Sequence, residues 1–150
     1  MAIWQYTFTV IPTTRIFDGI IKLQYDEDGL LKDHVHWQDL SVNVSFFEAI
    51  SFFISRGKSW SDKTLLWGDI DSNCFKILHE DNLVESVSFR IDFTVDYKEF
   101  LDAVLGFIKE QNLILLDERH QITEPNYLSI KNLMENSHQA KLYHKLSSKE

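Results

Sequence analysis

Apolar and polar residues alternate along several stretches of the chain, which is typical of strands buried on one face. In residues 3–11 the apolar positions are Trp4, Tyr6, Phe8 and Val10, and Pro12 ends the pattern. Three more short strands are predicted at about 64–68, 74–79 and 84–94. The polar run at 79–82 lies between the last two and predicts a hairpin turn. In the final strand the positions expected to face inward are Val87, Phe89, Ile91 and Phe93.

A helical period first appears after Ser45. Ser45 and Glu48 have the spacing of a capping box, in which each side chain satisfies a free backbone N–H of the first turn. Gly57 is expected to end this helix. Its predicted apolar face consists of Phe46, Phe47, Ile50, Phe53 and Ile54.

Two further helices are predicted downstream. Asp96, with Glu99 in the box position, begins a helix over 96–111, and Asn126 caps a last helix whose apolar positions reach Leu142. Leu113–Leu116 is a short apolar strand between them, and the tail is expected to fray from about Ser147. Residues 13–43 fit either a short helix or strands, and we leave both interpretations open.

This order of elements predicts one α+β domain over residues 1–150, with a mainly antiparallel sheet and about three helices. Strand–helix–strand units interrupted by a hairpin are similar to the split βαβ, ferredoxin-like plan, although the strand order is left open. A sheet with helices on one face leaves its other face free for a partner. The residues expected to meet in the core are Phe89, Ile91, Phe93, Phe100, Val104 and Phe107.

The chain of 150 residues carries a net charge of −8. Such a charge disfavours binding to nucleic acid or to anionic membranes, since attraction to phosphate supplies most non-specific affinity. A basic protein partner is the natural complement. Carboxylates cluster on four predicted turns, at 26–28, 69–71, 80–81 and 117–118.

Cys74 is the only cysteine, which fits a reducing compartment, and its place in an apolar strand predicts a buried thiol. The first residues lack the features of a signal peptide, and no apolar run has membrane-spanning length. We therefore expect a cytoplasmic protein.

Two stretches have partial metal-ligand spacing. Residues 69–73 begin like a calcium loop with Glu80 at its twelfth position, but Cys74 stands where the sharp turn requires glycine. His34 and His36 with Asp39 could contribute to a zinc site, but no further ligand lies close in sequence. We expect neither a metal nor a cofactor.

Arg90 and Asp92 are expected on the same face of their strand. Arg90 could form an ion pair with Asp92, or it could reach across the sheet to Asp69 or Asp71. A pocket around Arg90 could instead hold a small anion. Asp69, Asp71, Asp92 and Glu80 could together form a magnesium site, and the enzyme alternative is a metal-dependent hydrolase that uses Asp69, Asp71 and Asp92. No nucleophile–base or phosphate-loop pattern accompanies these residues, so we expect a non-catalytic binding protein.

Trp60 and Trp67 flank a polar loop. Each is expected to be a core residue if it is buried and a binding anchor if it is exposed. The oligomeric state is left open. The residues predicted to contact a protein partner are Trp60, Trp67, Asp69, Asp71, Glu80, Asp81 and Arg90.

Several short segments together are similar to small bacterial proteins that include candidate immunity proteins of polymorphic or contact-dependent toxin systems. The segments are Trp4-Gln5-Tyr6, Ile11-Pro12, Ser59-Trp60-Ser61, Leu66-Trp67-Gly68, Val87-Ser88-Phe89-Arg90-Ile91-Asp92 and Pro125 with the helix after it. The resemblance carries no functional residues. It implies a small, acidic, cytosolic, non-catalytic protein that neutralises a toxin domain, with a basic toxin domain as its partner.

Overall fold

The structure is a computed structural model that describes residues 4–13, 16–17, 20–21, 25–32, 37–38 and 40–148. The candidate zinc ligands His34, His36 and Asp39 lie outside the described residues. For the region left open above, the structure has short strands at Ile16–Phe17 (β2) and Ile20–Ile21 (β3), which pair antiparallel.

In the part of the chain that the structure describes, six strands form one sheet in which every pairing is antiparallel. They are β1 (Gln5–Pro12), β4 (Thr64–Gly68), β5 (Cys74–Glu80), β6 (Leu83–Asp92), β7 (Leu113–Leu116) and β8 (Ile122–Thr123). Their order across the sheet is β4-β5-β6-β1-β7-β8. Strands β1 and β5 run the same way with β6 between them, and β6 and β7 run the same way with β1 between them. This is the predicted split βαβ plan, extended by one strand at each edge.

Within the described ranges, the helices of four residues or more are three α-helices and one 3₁₀ helix. They are the 3₁₀ helix (Val44–Phe52), α1 (Lys98–Glu110), α2 (Tyr127–Glu135) and α3 (His138–Ser147). The carboxylate of Asp96 accepts the N–H of Lys98, and the side chain of Asn126 accepts that of Ser129, so both predicted starts are close. The prediction of a single last helix was wrong, because the chain forms two helices there, α2 and α3. Ser137 lies between them and caps α3, since its hydroxyl accepts the N–H of Ala140.

The core lies between the helices and one face of the sheet. Alternate residues of β5, β6 and β1 point into it, and α1 contributes one buried stripe. Of the predicted core set, Phe89, Ile91, Val104 and Phe107 are buried together, whereas Phe93 and Phe100 are only partly buried. On the opposite face Leu31 packs on a small cluster formed by Ile11, Ile114 and Leu116.

The first predicted helix differs from expectation in type and in cap. Asn43, not Ser45, caps it, since the Asn43 carboxamide oxygen accepts the N–H of Ser45 at 2.9 Å. A period of three places Phe47 and Ile50 in the core. Phe46 and Phe53, predicted to face inward, are therefore exposed.

Gly57 does not end that helix, which stops at Phe52. It instead pairs with the outer edge of β4, where its N–H donates to the carbonyl of Leu66 at 2.8 Å. The N–H of Gly68 donates to the carbonyl of Ser55 at 2.9 Å, so residues 55–57 border β4. A Cβ on Gly57 would lie 2.5 Å from the carbonyl oxygen of Gly68, which explains the glycine.

Candidate functional site

Acidic residues gather at one end of the sheet, where β4, β6 and β7 finish and β1 and β5 begin. We call this the acidic end. It carries the side chains of Asp69, Asp71, Asp92, Asp117 and Glu118. The hairpin that carries Asp26, Glu27 and Asp28 is anchored beside the β7–β8 turn, since the ring centroids of Tyr25 and His120 lie 5.6 Å apart. The predicted clusters at 69–71 and 117–118 therefore lie at one end of the sheet, although they are far apart in sequence: Gln5 of β1 donates to the Asp71 carbonyl, and the N–H of Thr7 donates to the Glu118 carboxylate.

The β4–β5 loop at this end is closed by its own hydrogen bonds. The Asp69 carboxylate accepts the N–H of Asp71 at 2.9 Å, and the N–H of Asp69 donates to the carbonyl of Asn73 at 2.9 Å. Gly68 enters the loop with φ +93°, and a Cβ there would lie 2.5 Å from the Asn73 carbonyl oxygen. The carboxyl groups of Asp69 and Asp71 thus lie on a well-braced, exposed turn.

Arg90 binds the backbone of that loop instead of its carboxylates. Its Nε donates to the carbonyl of Ser72 at 3.1 Å, and its Nη2 donates to that of Ile70. No ion pair within the described ranges includes Arg90. The expected pairing with Asp92, Asp69 or Asp71 is therefore replaced by a clamp on the loop.

Asp92 is buried and satisfied locally. Its carboxylate accepts the N–H and hydroxyl of Thr94 and the hydroxyl of Ser72, and its own N–H donates to the side chain of Asn73 at 2.7 Å. The four carboxylates of the candidate magnesium site do not converge, since Glu80 lies at the opposite end of β5 from Asp69 and Asp71. The three carboxylates of the hydrolase alternative, Asp69, Asp71 and Asp92, lie at the same end of the sheet.

The β7–β8 turn is tied to β1 and to α3 at the acidic end. The Glu118 carboxylate accepts the N–H of Thr7 at 3.0 Å and the side-chain amide of Gln139. The N–H of Glu118 donates to the hydroxyl of Tyr6 at 3.2 Å. Burial raises the pKa of Tyr6, and this hydrogen bond opposes the shift in part. Asp117 accepts two N–H groups within the turn, from Arg119 and Gln121.

Glu80 and Asp81 lie at the other end of the sheet, in the β5–β6 hairpin. Asp81 and Asn82 have φ of 49° and 66°, the two positive values of a type I′ turn, so the predicted hairpin is confirmed. Glu80 pairs with Lys63 at 2.7 Å. The structure thus divides the predicted partner-binding residues between two ends of the sheet.

The two tryptophans have opposite environments. Trp67 is fully buried, and its Nε1 donates to the hydroxyl of Ser51 at 2.9 Å, so it belongs to the core and cannot contact a partner. Trp60 is 89% exposed in the loop that leads to β4.

Phe52 and Phe53 are two strongly exposed aromatic residues that sequence reasoning did not assign to a binding surface. They are 87% and 73% exposed, and they come shortly before residues 55–57, which border β4. The Ser55 carbonyl accepts the N–H of Gly68, the last residue of β4, which finishes at the acidic end. Phe52 and Phe53 are therefore only two or three residues along the chain from a residue paired at that end. The run of two aromatics at the end of a helix was the available signal, hidden by the assumption of an α-helical period.

A groove of about 450 Å³ lies on the face of the sheet opposite the core. Residues from β4, β5 and β6 line it, with Trp60 among them. Cys74 lines it too and is buried, as predicted, and burial raises the pKa of its thiol.

Within the described ranges, no group of three or more His, Cys, Asp or Glu side chains is placed to hold a metal ion. No helix of that part of the chain is both long and apolar enough to cross a membrane. Comparison with protein-family models, curated proteins and solved structures finds no match to this chain.

Proposed function

We propose that this protein is a cytoplasmic, non-catalytic binding protein whose acidic end captures a basic partner protein. More specifically, we propose an immunity protein that occludes a basic toxin domain, with no metal or cofactor. The observation that carries the proposal is that the clusters at 69–71 and 117–118, far apart in sequence, lie at the same end of the sheet. The hairpin with the cluster at 26–28 is anchored beside the second of them through Tyr25 and His120.

Charge concentrated at one end gives a binding protein two advantages. A local field of one sign steers an oppositely charged partner and speeds association, in a manner that salt weakens. Rigid loops also lose little conformational entropy on binding, and the Asp69 turn is held by Arg90 and by its own backbone bonds. The acidic end is therefore suited to rapid recognition.

Phe52 and Phe53 would supply the apolar anchor of the same interface. Interfaces gain most of their affinity from a few buried aromatic or Arg side chains, while surrounding charges set specificity and association rate. These two rings are exposed next to residues that border β4, which finishes at the acidic end. We accordingly place the anchor at Phe52 and Phe53, in preference to Trp60, which lines the groove on the face opposite the core.

The decisive experiment is co-expression with the C-terminal domain of a large secreted effector encoded immediately upstream. We expect cells to survive only when this chain is present, and a complex to survive gel filtration. Equal cell death with and without the chain, together with the absence of a complex, would refute the immunity proposal.

A matched pair of variants locates the interface. Asp69→Asn with Asp71→Asn removes two charges at the acidic end while keeping the side-chain oxygens of the turn. We expect association at low salt to slow by about tenfold. Glu80→Gln with Asp81→Asn removes two charges at the opposite end and should leave the association rate near wild type. If both pairs slow association equally, net charge acts without a specific acidic end.

Phe52→Ala with Phe53→Ala tests the anchor separately. Loss of buried aromatic contacts acts mainly on dissociation, so we expect faster dissociation with a nearly unchanged association rate. Wild-type dissociation of this variant would place the anchor elsewhere on the surface.

A further inference from the structure

The groove opposite the core has an apolar floor. Leu66 lies across from Lys76 in the β4–β5 register, and Leu78 follows Lys76 on the same face of β5. Ile70 and Trp60 also line it. An apolar surface of this kind accepts the ring or chain of a ligand, and a volume of about 450 Å³ is within the range of small-molecule sites.

Cations line the same groove although the chain as a whole is acidic. Lys76 and Arg90 are both half-buried, and neither forms an ion pair within the part of the chain that the structure describes. The third cation, Lys63, is already bound to Glu80 at 2.7 Å. Glu85 is the one carboxylate among the described lining residues. Lys76 and Arg90 therefore give the groove positive charge that no described side chain neutralises by contact.

Partial burial makes such cations costly unless an anion joins them. A half-buried ammonium loses hydration, and the loss is offset when a carboxylate forms charge-assisted hydrogen bonds with it. Arg90 uses Nε and Nη2 on the loop carbonyls, and its Nη1 makes no hydrogen bond with the described residues. Lys76 and this remaining donor can thus serve an external carboxylate.

We propose that the groove binds a small aromatic carboxylate. The carboxylate lies against Lys76 and Arg90, the ring lies on Ile70 and Leu78, which are both partly exposed, and the exposed indole of Trp60 covers it from the rim. This site is separate from the acidic end and does not depend on the proposed binding of a toxin domain.

Calorimetric titration of the full chain with 1-naphthoate tests the site, with 1-naphthamide as the neutral match. For a ligand of this size we expect a Kd of about 0.01–1 mM for the carboxylate, and binding at least about tenfold weaker for the amide. Lys76→Gln should weaken 1-naphthoate binding by about tenfold or more and leave 1-naphthamide unchanged. Lys58→Gln, which removes an exposed lysine close in sequence to Trp60, should bind 1-naphthoate like wild type.

Trp60→Ala reports on the apolar half of the site. We expect it to weaken both ligands by a similar factor, since it removes ring contact and no charge, and thermal unfolding of each variant confirms that the fold is retained. The proposal is overturned if 1-naphthoate produces no binding heat up to about 5 mM, if both ligands bind equally, or if Lys76→Gln binds within twofold of wild type.

Discussion

Arg90 fastens the loop after β4 through the carbonyl of Ser72, to which its Nε donates at 3.1 Å. A second bond, from Nη2 to the carbonyl of Ile70, makes the contact a two-point clamp. The loop carries Asp69 and Asp71, so one guanidinium fixes the position of two exposed carboxylates without pairing with either. The clamp of Arg90 therefore links the stability of the fold to the position of the Asp69 and Asp71 carboxylates.

Arg90→Ala should lower the free energy of unfolding by about 1–3 kcal/mol, because two backbone carbonyls lose a charged donor. Urea titration measures the change. Arg119→Ala removes an exposed arginine of the β7–β8 turn and should change stability by less than about 0.5 kcal/mol. Equal effects of the two variants would mean that the clamp contributes nothing beyond charge.

Phe47 and Phe52 form a matched pair in one 3₁₀ helix. Phe47 is fully buried and its ring contacts those of Trp37, Phe75 and Phe107, whereas Phe52 is 87% exposed. Phe47→Ala should destabilise the fold by about 3–5 kcal/mol through lost burial and a cavity. Phe52→Ala should stay within about 0.5 kcal/mol of wild type. A larger loss for Phe52→Ala than for Phe47→Ala in denaturant titration would show that the helix faces are exchanged.

His79 is a buried polar residue that follows Phe75 and Ile77 on β5. It is 9% exposed, and neither ring nitrogen has a hydrogen-bond partner among the described residues. His79→Leu should raise the free energy of unfolding by about 1 kcal/mol or more, since it removes two unsatisfied polar atoms from a buried position. His144→Leu, on the exposed end of α3, is the control. A clear loss of stability in His79→Leu would point to a buried water or another partner for the imidazole.

The raised pKa of Tyr6 predicts that the free energy of unfolding falls at alkaline pH. Burial raises its pKa in the folded state, while the unfolded chain deprotonates near the ordinary value of 10.0. Its contribution to stability is complete below pH 10 and is lost as the pH rises towards the higher folded pKa. Urea titrations between pH 8 and pH 11 should show a smaller decline for Tyr6→Phe than for wild type. Burial also raises the pKa of Tyr97, so Tyr97→Phe should remove a further part of the slope. Parallel slopes for wild type and both variants would contradict this account.

The strands could be predicted from the sequence because their signal is local. Alternation at Val87, Phe89 and Ile91 is a property of neighbouring residues, and the buried face of β6 follows it directly. The same holds for α1, whose apolar period fits a sheet-packing helix. The split βαβ plan limits how the four central strands can pair, but no local pattern places β4 and β8 at the two edges.

The candidate site could not be predicted to the same extent because its contacts are long-range. The convergence of Asp71 with Glu118 depends on β1, where Gln5 donates to the Asp71 carbonyl and Thr7 donates to the Glu118 carboxylate. Nothing local to either cluster encodes that meeting. The exposure of Phe53 was missed for a different reason. The helix is capped by Asn43, two positions before Ser45, and it has the 3₁₀ period of three residues per turn. The same apolar residues fit both the 3₁₀ period and the α-helical period, so the sequence pattern did not distinguish them.

The strip of chain at 55–57 has a consequence for how these molecules behave at high concentration. An uncovered strand at the side of a sheet offers free N–H and C=O groups to another molecule, and repeated pairing of that kind builds fibrils. Here the N–H of Gly57 and the C=O of Ser55 form hydrogen bonds with the outer edge of β4. At the other edge of the sheet, β8 has only two residues. The apolar contacts that exposed Phe52 and Phe53 can make between molecules are thus not extended by strand pairing at either edge of the sheet, so association through these rings does not lead to fibrils.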